Sequence, residues 1–239
     1  MSPMTPLRGA LAAAALVLLA PLPAAQAGSF SATAFADVEL LSAPVTGVSV
    51  SYFNDVFVND GFASNPPMSY FDNDALIDAA DPFLSTTLVS IGDALAPRGQ
   101  TAFVNALLMS DGLIEIENTS GADVDLEFGY LFGLFADVMA QAYGLSTASA
   151  FARVELFWDL ETLVGDFVDE IVSAALGAVE TDSLDGSGTF TVRVPNNAVG
   201  SIYLIADAGG DAQHVPVPAS LPLVAAGLAL FGLVRRRRA

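Results

Sequence analysis

Between residues 28 and 214, apolar residues recur at every second position in short runs that turn residues separate. In Gly112–Asn118, for example, Ile114 and Ile116 alternate with two glutamates, and Asp123–Tyr130 alternates in the same way. Alternation of this kind gives a strand one apolar face and one polar face. The body of the chain is therefore predicted to be mainly β.

Turn-forming clusters such as Pro195-Asn196-Asn197 separate these runs. Short alternating strands with frequent turns predict an antiparallel β-sandwich of the jelly-roll or immunoglobulin-like type. The predicted strands are Ser29–Leu41, Val45–Tyr52, Gly112–Asn118, Asp123–Tyr130, Ala148–Trp158, Gly188–Val194 and Ser201–Ala206.

Two stretches do not alternate. In residues 160–178 the apolar residues follow the three- and four-residue spacing of an amphipathic helix, which we expect there, with a pair of strands as the alternative. Around Ala75–Ala80, inside the Asp- and Asn-rich stretch Asp72–Leu95, we expect a helical turn or two within a long loop.

Thr119-Ser120-Gly121 is a turn sequence, and we expect the runs on either side of it to pair as a hairpin. The hairpin would crowd Glu115, Glu117, Asp123, Asp125 and Glu127 on one face, where a hard cation such as calcium could relieve the repulsion. Calcium could also bind at two acidic pairs in predicted loops, Asp72 with Asp74 and Asp182 with Asp185. The alternative is a solvated acidic face and ordinary turns, and no EF-hand pattern is present. The candidate calcium ligands are Asp72, Asp74, Glu115, Glu117, Asp123, Asp125, Asp182 and Asp185.

The charge of the body is strongly acidic. All 27 acidic residues lie between residues 28 and 214, against Arg98, Arg153 and Arg193, and the chain has no lysine. This balance excludes nucleic-acid binding, which needs a basic footprint. It suits cations, cationic polymers, or an anionic matrix bridged by divalent ions. A saline habitat would favour the same acidity without any ligand.

The residues needed for familiar catalytic sites are scarce. Without cysteine there is no disulfide framework and no thiolate metal site, and without lysine there is no Schiff-base or Ser-Lys chemistry. A Ser-His-Asp arrangement needs a histidine inside the folded domain. We expect His214, the one histidine, to lie outside it, beside the tail. We therefore expect no enzyme.

A carboxylate-dependent glycosidase is the alternative, although no pair of acids stands out in the sequence. The aromatic side chains would either stack on sugars or fill the core. They are Trp158 and the tyrosines Tyr52, Tyr70, Tyr130, Tyr143 and Tyr203.

Residues 1–27 have the features of a secretory signal peptide. A basic residue, Arg8, precedes an apolar run that ends in the small-residue exit Ala25-Gln26-Ala27. We predict cleavage between Ala27 and Gly28 after passage through the export translocon, with signal peptidase as the partner. A retained N-terminal anchor is the alternative.

Residues 215–239 combine an apolar run with a basic end. From Val215 to Val234 the run would be roughly 30 Å long as a helix, which just suffices to cross a membrane. Arg235, Arg236, Arg237 and Arg238 would stay on the cytoplasmic side. We predict a C-terminal transmembrane helix that holds the body on the periplasmic side of the inner membrane.

The VPVPA sequence before this run, followed by an apolar helix and an arginine cluster, resembles the VPLPA-type variant of the PEP-CTERM sorting signal. Its residues here are Val215, Pro216, Val217, Pro218 and Ala219, with Val217 where the commonest form has leucine. The signal is found on surface and matrix proteins of Gram-negative bacteria. The resemblance implies that an exosortase, an integral-membrane cysteine-protease-like enzyme, cuts near the prolines. An ordinary membrane tail is the alternative.

These features predict an exported protein of the cell surface or extracellular matrix with a non-enzymatic structural or adhesive role. The alternative is a secreted carbohydrate-binding or glycan-active domain. Extracellular polysaccharide is the predicted partner outside the cell, and calcium is the only cofactor that the sequence suggests. The expected domains are the signal peptide (1–27), the exported body (28–214) and the sorting signal (215–239).

Overall fold

The computed structural model describes residues 28–64, 68–96, 100–140, 146–159, 165–176 and 179–215. These residues form strands joined by turns and short loops, and no helix occurs among them. The strands are β1 Gly28–Leu40, β2 Val48–Ala63, β3 Tyr70–Ala80, β4 Phe83–Asp93, β5 Ala102–Asn118, β6 Val124–Ala140, β7 Thr147–Asp159, β8 Gly165–Leu176, β9 Val179–Val194 and β10 Ala198–His214.

The strands make two five-stranded antiparallel sheets. The order is β3-β4-β1-β6-β9 in the first sheet and β2-β5-β10-β7-β8 in the second. The sheets lie face to face, with β1 against β10 and β7, and β4 against β5. Only β3–β4 and β7–β8 are consecutive strands that pair with each other, and all other consecutive strands belong to different sheets.

The core between the sheets follows directly from the alternation. On β5 and β10 the even-numbered residues are buried, among them Ile114, Ile116, Ile202 and Leu204. The central strands contribute mainly alanine, which lets the two backbones approach closely, whereas leucine and phenylalanine come from the flanking strands. The buried alanines of β1, β7 and β10 are Ala32, Ala34, Ala36, Ala148, Ala150, Ala152, Ala206, Ala208 and Ala212.

The helix expected within residues 160–178 is wrong where the backbone is described, because Gly165–Leu176 is a strand. It pairs with β7 in unbroken antiparallel register, from Trp158 opposite Gly165 to Thr147 opposite Leu176. Pairing with an otherwise open β7 edge satisfies the backbone hydrogen bonds and overrides the local apolar spacing.

The helical turn expected around Ala75–Ala80 is also wrong. Those residues lie in β3, which pairs with β4 along its full length. Aspartate and asparagine occupy many positions of β3 because it is an edge strand, where polar side chains are tolerated and discourage pairing with other chains.

The expected hairpin between Gly112–Asn118 and Asp123–Tyr130 does not form. The two runs are adjacent along the chain, but β5 lies in the second sheet and β6 in the first. The turn between them is real, and Gly121 has the positive φ of 91° that such a turn favours. It carries the chain from one sheet to the other.

No helix among the described residues is long and apolar enough to cross a membrane. The predicted transmembrane helix after Val215 lies outside the described residues.

Candidate functional site

Both ends of the body lie at one end of the two-sheet structure, which we call the proximal pole. A side chain on Gly28 would come within 3.3 Å of the Ala212 Cβ, so β1 begins where β10 ends. β10 has 17 residues and is therefore about 55 Å long. The opposite end, the distal pole, holds the turns after β5 and β9. A leader before Gly28 and a tail after Val215 would thus leave from the same side.

His214 ends β10 at the proximal pole and is inside the fold, contrary to the expectation from sequence. Its side chain is 2% exposed, and Nδ1 lies 3.3 Å from the Ser146 hydroxyl, which is also buried. Burial lowers the pKa of His214, which favours the neutral imidazole. The Ser146 oxygen is closed off from solvent, whereas a nucleophile must be reachable by its substrate. The pair joins β10 to the start of β7.

Asn118 forms hydrogen bonds that connect the turns at the distal pole. Its side chain is fully buried, and Nδ2 donates to the carbonyls of Val194 at 2.9 Å and Ala122 at 2.8 Å. Its Oδ1 accepts from the Ser120 amide at 3.0 Å. One side chain therefore joins the β5–β6 turn to the end of β9.

Asp123, a calcium candidate, lies beside this centre and is already bound within the protein. It accepts from the Asn196 amide at 3.1 Å and pairs with Arg193 at 3.0 Å. These two interactions, the amide first, lower the pKa of its carboxyl group. Arg193 thus supplies the positive charge that a cation would bring.

The other calcium candidates are dispersed. Glu115 and Glu117 face outward from the second sheet, while Asp125 faces outward from the first. Asp72 and Asp74 lie on the edge strand β3, and Asp182 and Asp185 on the opposite edge strand β9. The residues that the structure describes include no cluster of three acidic or histidine side chains able to hold a metal. Calcium therefore remains a hypothesis without a site.

The outer face of the second sheet carries a row of apolar and aromatic side chains, which we call the aromatic row. Phe53 lies opposite Leu113, Leu113 opposite Tyr203, and Tyr203 opposite Phe157. The rings of Phe157 and Tyr203 stack with centroids 4.7 Å apart, and Phe53 is 54% exposed. The row crosses four strands and spans about 14 Å.

Rows that are mainly polar flank the aromatic row on both sides, with Ile205 between Asp111 and Glu155 as the apolar exception. On one side Asp55 faces Asp111 directly across β2 and β5, with Glu155 further along. On the other side lie Glu115 and the hydroxyls of Ser51 and Ser201. Opposed like charges are unfavourable. The arrangement therefore favours a ligand that brings positive charge or hydrogen-bond donors.

The one described arginine on this face is already paired. Arg153 contacts Glu155 and lies 3.5 Å from Asp207, whose side chain is almost completely buried. It therefore does not neutralise Asp55 or Asp111. An open groove of about 540 Å³ begins beside these two aspartates. Its lining is Tyr52, Phe53, Asn54, Asp55, Ala79, Asp111 and Leu113.

The outer face of the first sheet mixes hydroxyl groups and carboxylates with scattered exposed apolar side chains such as Leu76, Leu131 and Met139. Phe135, 39% exposed, has Thr33 and Ser183 as its cross-strand neighbours. Other outward hydroxyls are those of Ser29, Ser31, Ser85, Thr87, Thr189 and Thr191. The aromatic row is thus a property of one face only.

The aromatic side chains divide between core and surface. Trp158 stacks on Phe190 with centroids 4.6 Å apart and packs against the core, as do Tyr52 and Tyr130. Tyr203 belongs to the aromatic row. Tyr70 is exposed, and a hydrogen bond to Asp93 raises its pKa. Tyr143 lies outside the described residues.

The processing residues are largely beyond the described part. Gly28 and Val215 are described at the two ends of the body. The others of the signal-cleavage site, the sorting motif and the arginine cluster lie outside it, namely Ala25, Ala27, Pro216, Val217, Pro218, Ala219, Arg235, Arg236, Arg237 and Arg238.

No protein-family model matches the chain, and no curated protein matches its sequence.

Proposed function

We propose that the chain is an exported cell-surface or matrix protein that an exosortase-type enzyme processes, with a structural or adhesive rather than catalytic role. The observation that supports this most directly is the common exit of both ends at the proximal pole, where Gly28 lies beside Ala212. In the precursor, before cleavage, a signal peptide and a membrane tail would hold the same side of the body to the membrane. The distal pole would extend about 55 Å outward.

The proposed non-enzymatic role is supported by the surroundings of the reactive side chains. Ser146 and His214 are both buried, and Asp123 is held by Arg193 and a backbone amide. Most of the other carboxylates whose side chains the structure describes are spread over the outer faces and edge strands of the two sheets. A body of this kind suits display, adhesion or matrix packing, in which stability and surface matter more than a reactive group.

We further propose that the two stacked sheets form a β-sandwich nearer to the jelly-roll type than to the immunoglobulin type. Most connections pass between the sheets, as they do in jelly rolls. Immunoglobulin-like sandwiches keep more of their connections within one sheet.

Intact-mass measurement of the protein from its native host tests the processing step. We expect a mature chain that begins at Gly28 and has lost the residues after the VPVPA motif. A variant with Pro216→Ala and Pro218→Ala should keep its tail, whereas Pro195→Ala, in a turn of the body, should be processed normally. A mature wild-type protein that still ends at Ala239 would refute sorting by cleavage.

A second candidate function is carbohydrate binding, which the aromatic row favours. Phe53 presents an exposed ring and Phe157 and Tyr203 a half-buried stacked pair, so the row can pack against the apolar faces of sugars, and the flanking carboxylates can accept hydrogen bonds from hydroxyl groups. This function is compatible with the first, because an adhesive surface protein needs a ligand.

A further inference from the structure

We propose that the aromatic row binds a linear polysaccharide that carries free amino groups. This inference rests on the second candidate function and names its surface and its ligand class. The sequence pattern did not single out this surface, since Phe53, Leu113 and Phe157 belong to no motif and come together only through the strand order β2-β5-β10-β7.

The shape of the surface suits an extended chain. The row runs across the strands, so successive side chains stand about 4.8 Å apart and form a continuous apolar strip about 14 Å long. Phe53 projects at one end, and the stacked Phe157–Tyr203 pair stands at the other. A strip of this shape suits an extended chain that lies across the strands.

The charges of the surface select the kind of chain. Asp55 and Asp111 repel each other, and the Arg153 guanidinium is engaged by Glu155 and Asp207. An ammonium group on a sugar would relieve this repulsion with charge-assisted hydrogen bonds. An anionic polysaccharide would instead meet carboxylates on both sides of the row.

Other occupants fit the same charges less well. A second copy of the chain would bring the same acidic rows against these ones, which costs free energy. An anionic lipid surface would be repelled for the same reason. An interface between two copies of the chain would also bury carboxylates, which are depleted at the centres of protein interfaces.

Calorimetric titration of the full-length chain in a mild detergent, with a glucosamine hexamer as the probe, tests the proposal. We expect saturable binding that weakens by about fivefold in Phe53→Thr, since removing one stacking ring costs on the order of 1 kcal/mol. Phe135→Thr is the matched control on the outer face of the first sheet and should bind as the wild type does. Asp111→Asn should also weaken binding, whereas Asp74→Asn on β3 should not.

Three further probes separate the contribution of the sugar rings from that of the charge. The fully N-acetylated hexamer should bind more weakly than the amino form, and alginate, an anionic polysaccharide, should not bind. Polylysine carries charge without sugar rings, so any binding of it should be insensitive to Phe53→Thr. Failure of the glucosamine hexamer to bind, or equal losses in Phe53→Thr and Phe135→Thr, would overturn the proposal. Export and processing are measured separately in cells. The proposed polysaccharide binding and the proposed export and processing can therefore fail independently of each other.

Discussion

Replacing Asn118 with alanine should destabilise the protein more than any other single amide substitution at the distal pole. The side chain is fully buried, and its bond to the Val194 carbonyl is closed off from water, so water does not replace that bond when the side chain is removed. The loss of the buried bond to the Val194 carbonyl should cost about 1–3 kcal/mol. The partly exposed bonds to Ala122 and from Ser120 should add about 0.5–1.5 kcal/mol each.

The summed cost is about 2–6 kcal/mol, with a midpoint of about 4 kcal/mol, which corresponds to a fall in Tm of about 8–16 °C for a domain of this size. Asn118→Asp should be worse still, because it turns a carboxylate oxygen toward the carbonyls that now accept from Nδ2. Urea unfolding followed by tryptophan fluorescence measures the free energy of unfolding of both Asn118 variants, because Trp158 packs on Phe190 and reports on the core.

Asn196→Ala is the matched control. Its Oδ1 accepts one exposed bond from the Gly121 amide at 3.0 Å, so its loss should cost less than about 1 kcal/mol. If Asn118→Ala and Asn196→Ala destabilise the protein equally, the role assigned to Asn118 is refuted.

Three further predictions concern single groups. The Tyr52 hydroxyl is buried without a hydrogen-bond partner among the described residues, and burial, then Asp81 and Glu39, raise its pKa from 10.0 to about 12. Stability should therefore fall as pH rises above 10, and urea unfolding at high pH should show a smaller fall for Tyr52→Phe. For His214, the lowered pKa means that stability is lost as pH falls below the ordinary value of 6.5. Unfolding midpoints of His214→Gln should vary less with acidification, and an unchanged pH profile would contradict the burial argument. A side chain at Gly188 would lie 2.8–2.9 Å from Tyr130 atoms. Gly188→Ala should therefore destabilise by about 1–3 kcal/mol in thermal unfolding instead of giving the usual small gain in chain entropy.

The sequence predicted strands best where one face is polar. Ile114 and Ile116 were correctly expected to face the core, because glutamates separate them. The same strand begins ten residues before Gly112, yet that half was not predicted as a strand. Leu107, Leu108 and Met109 are consecutive apolar residues, and the outer face of the second sheet is apolar there, so the alternation disappears.

Strand partners were harder to predict than strands. Asn118 and Asp123 flank a turn that resembles a hairpin turn, yet the backbone crosses between sheets there. The reason is a long-range contact, since Asn118 donates to the carbonyl of Val194 in β9. In β8 the apolar residues have helical spacing, and pairing with β7 decides the structure. Such contacts are not encoded in local spacing.

The candidate surface could be predicted only in part. Tyr203 and the acids were visible in the sequence, but their neighbours depend on register. The cross-strand pairing of Asp55 with Asp111 joins residues of β2 and β5, which are far apart along the chain. The buried position of His214 was missed because its nearness to the tail suggested exposure, whereas β10 runs through the centre of its sheet.

Export of the acidic body is the claim on which the functional proposals depend, and thiol labelling tests it most directly. The chain contains no cysteine, so Ser187→Cys on the exposed edge strand β9 supplies a single reactive thiol. The native host, stripped of its outer membrane, is treated with a maleimide that cannot cross the inner membrane. We predict the same extent of labelling before and after lysis. Labelling that appears only after lysis would place the body in the cytoplasm and contradict the account.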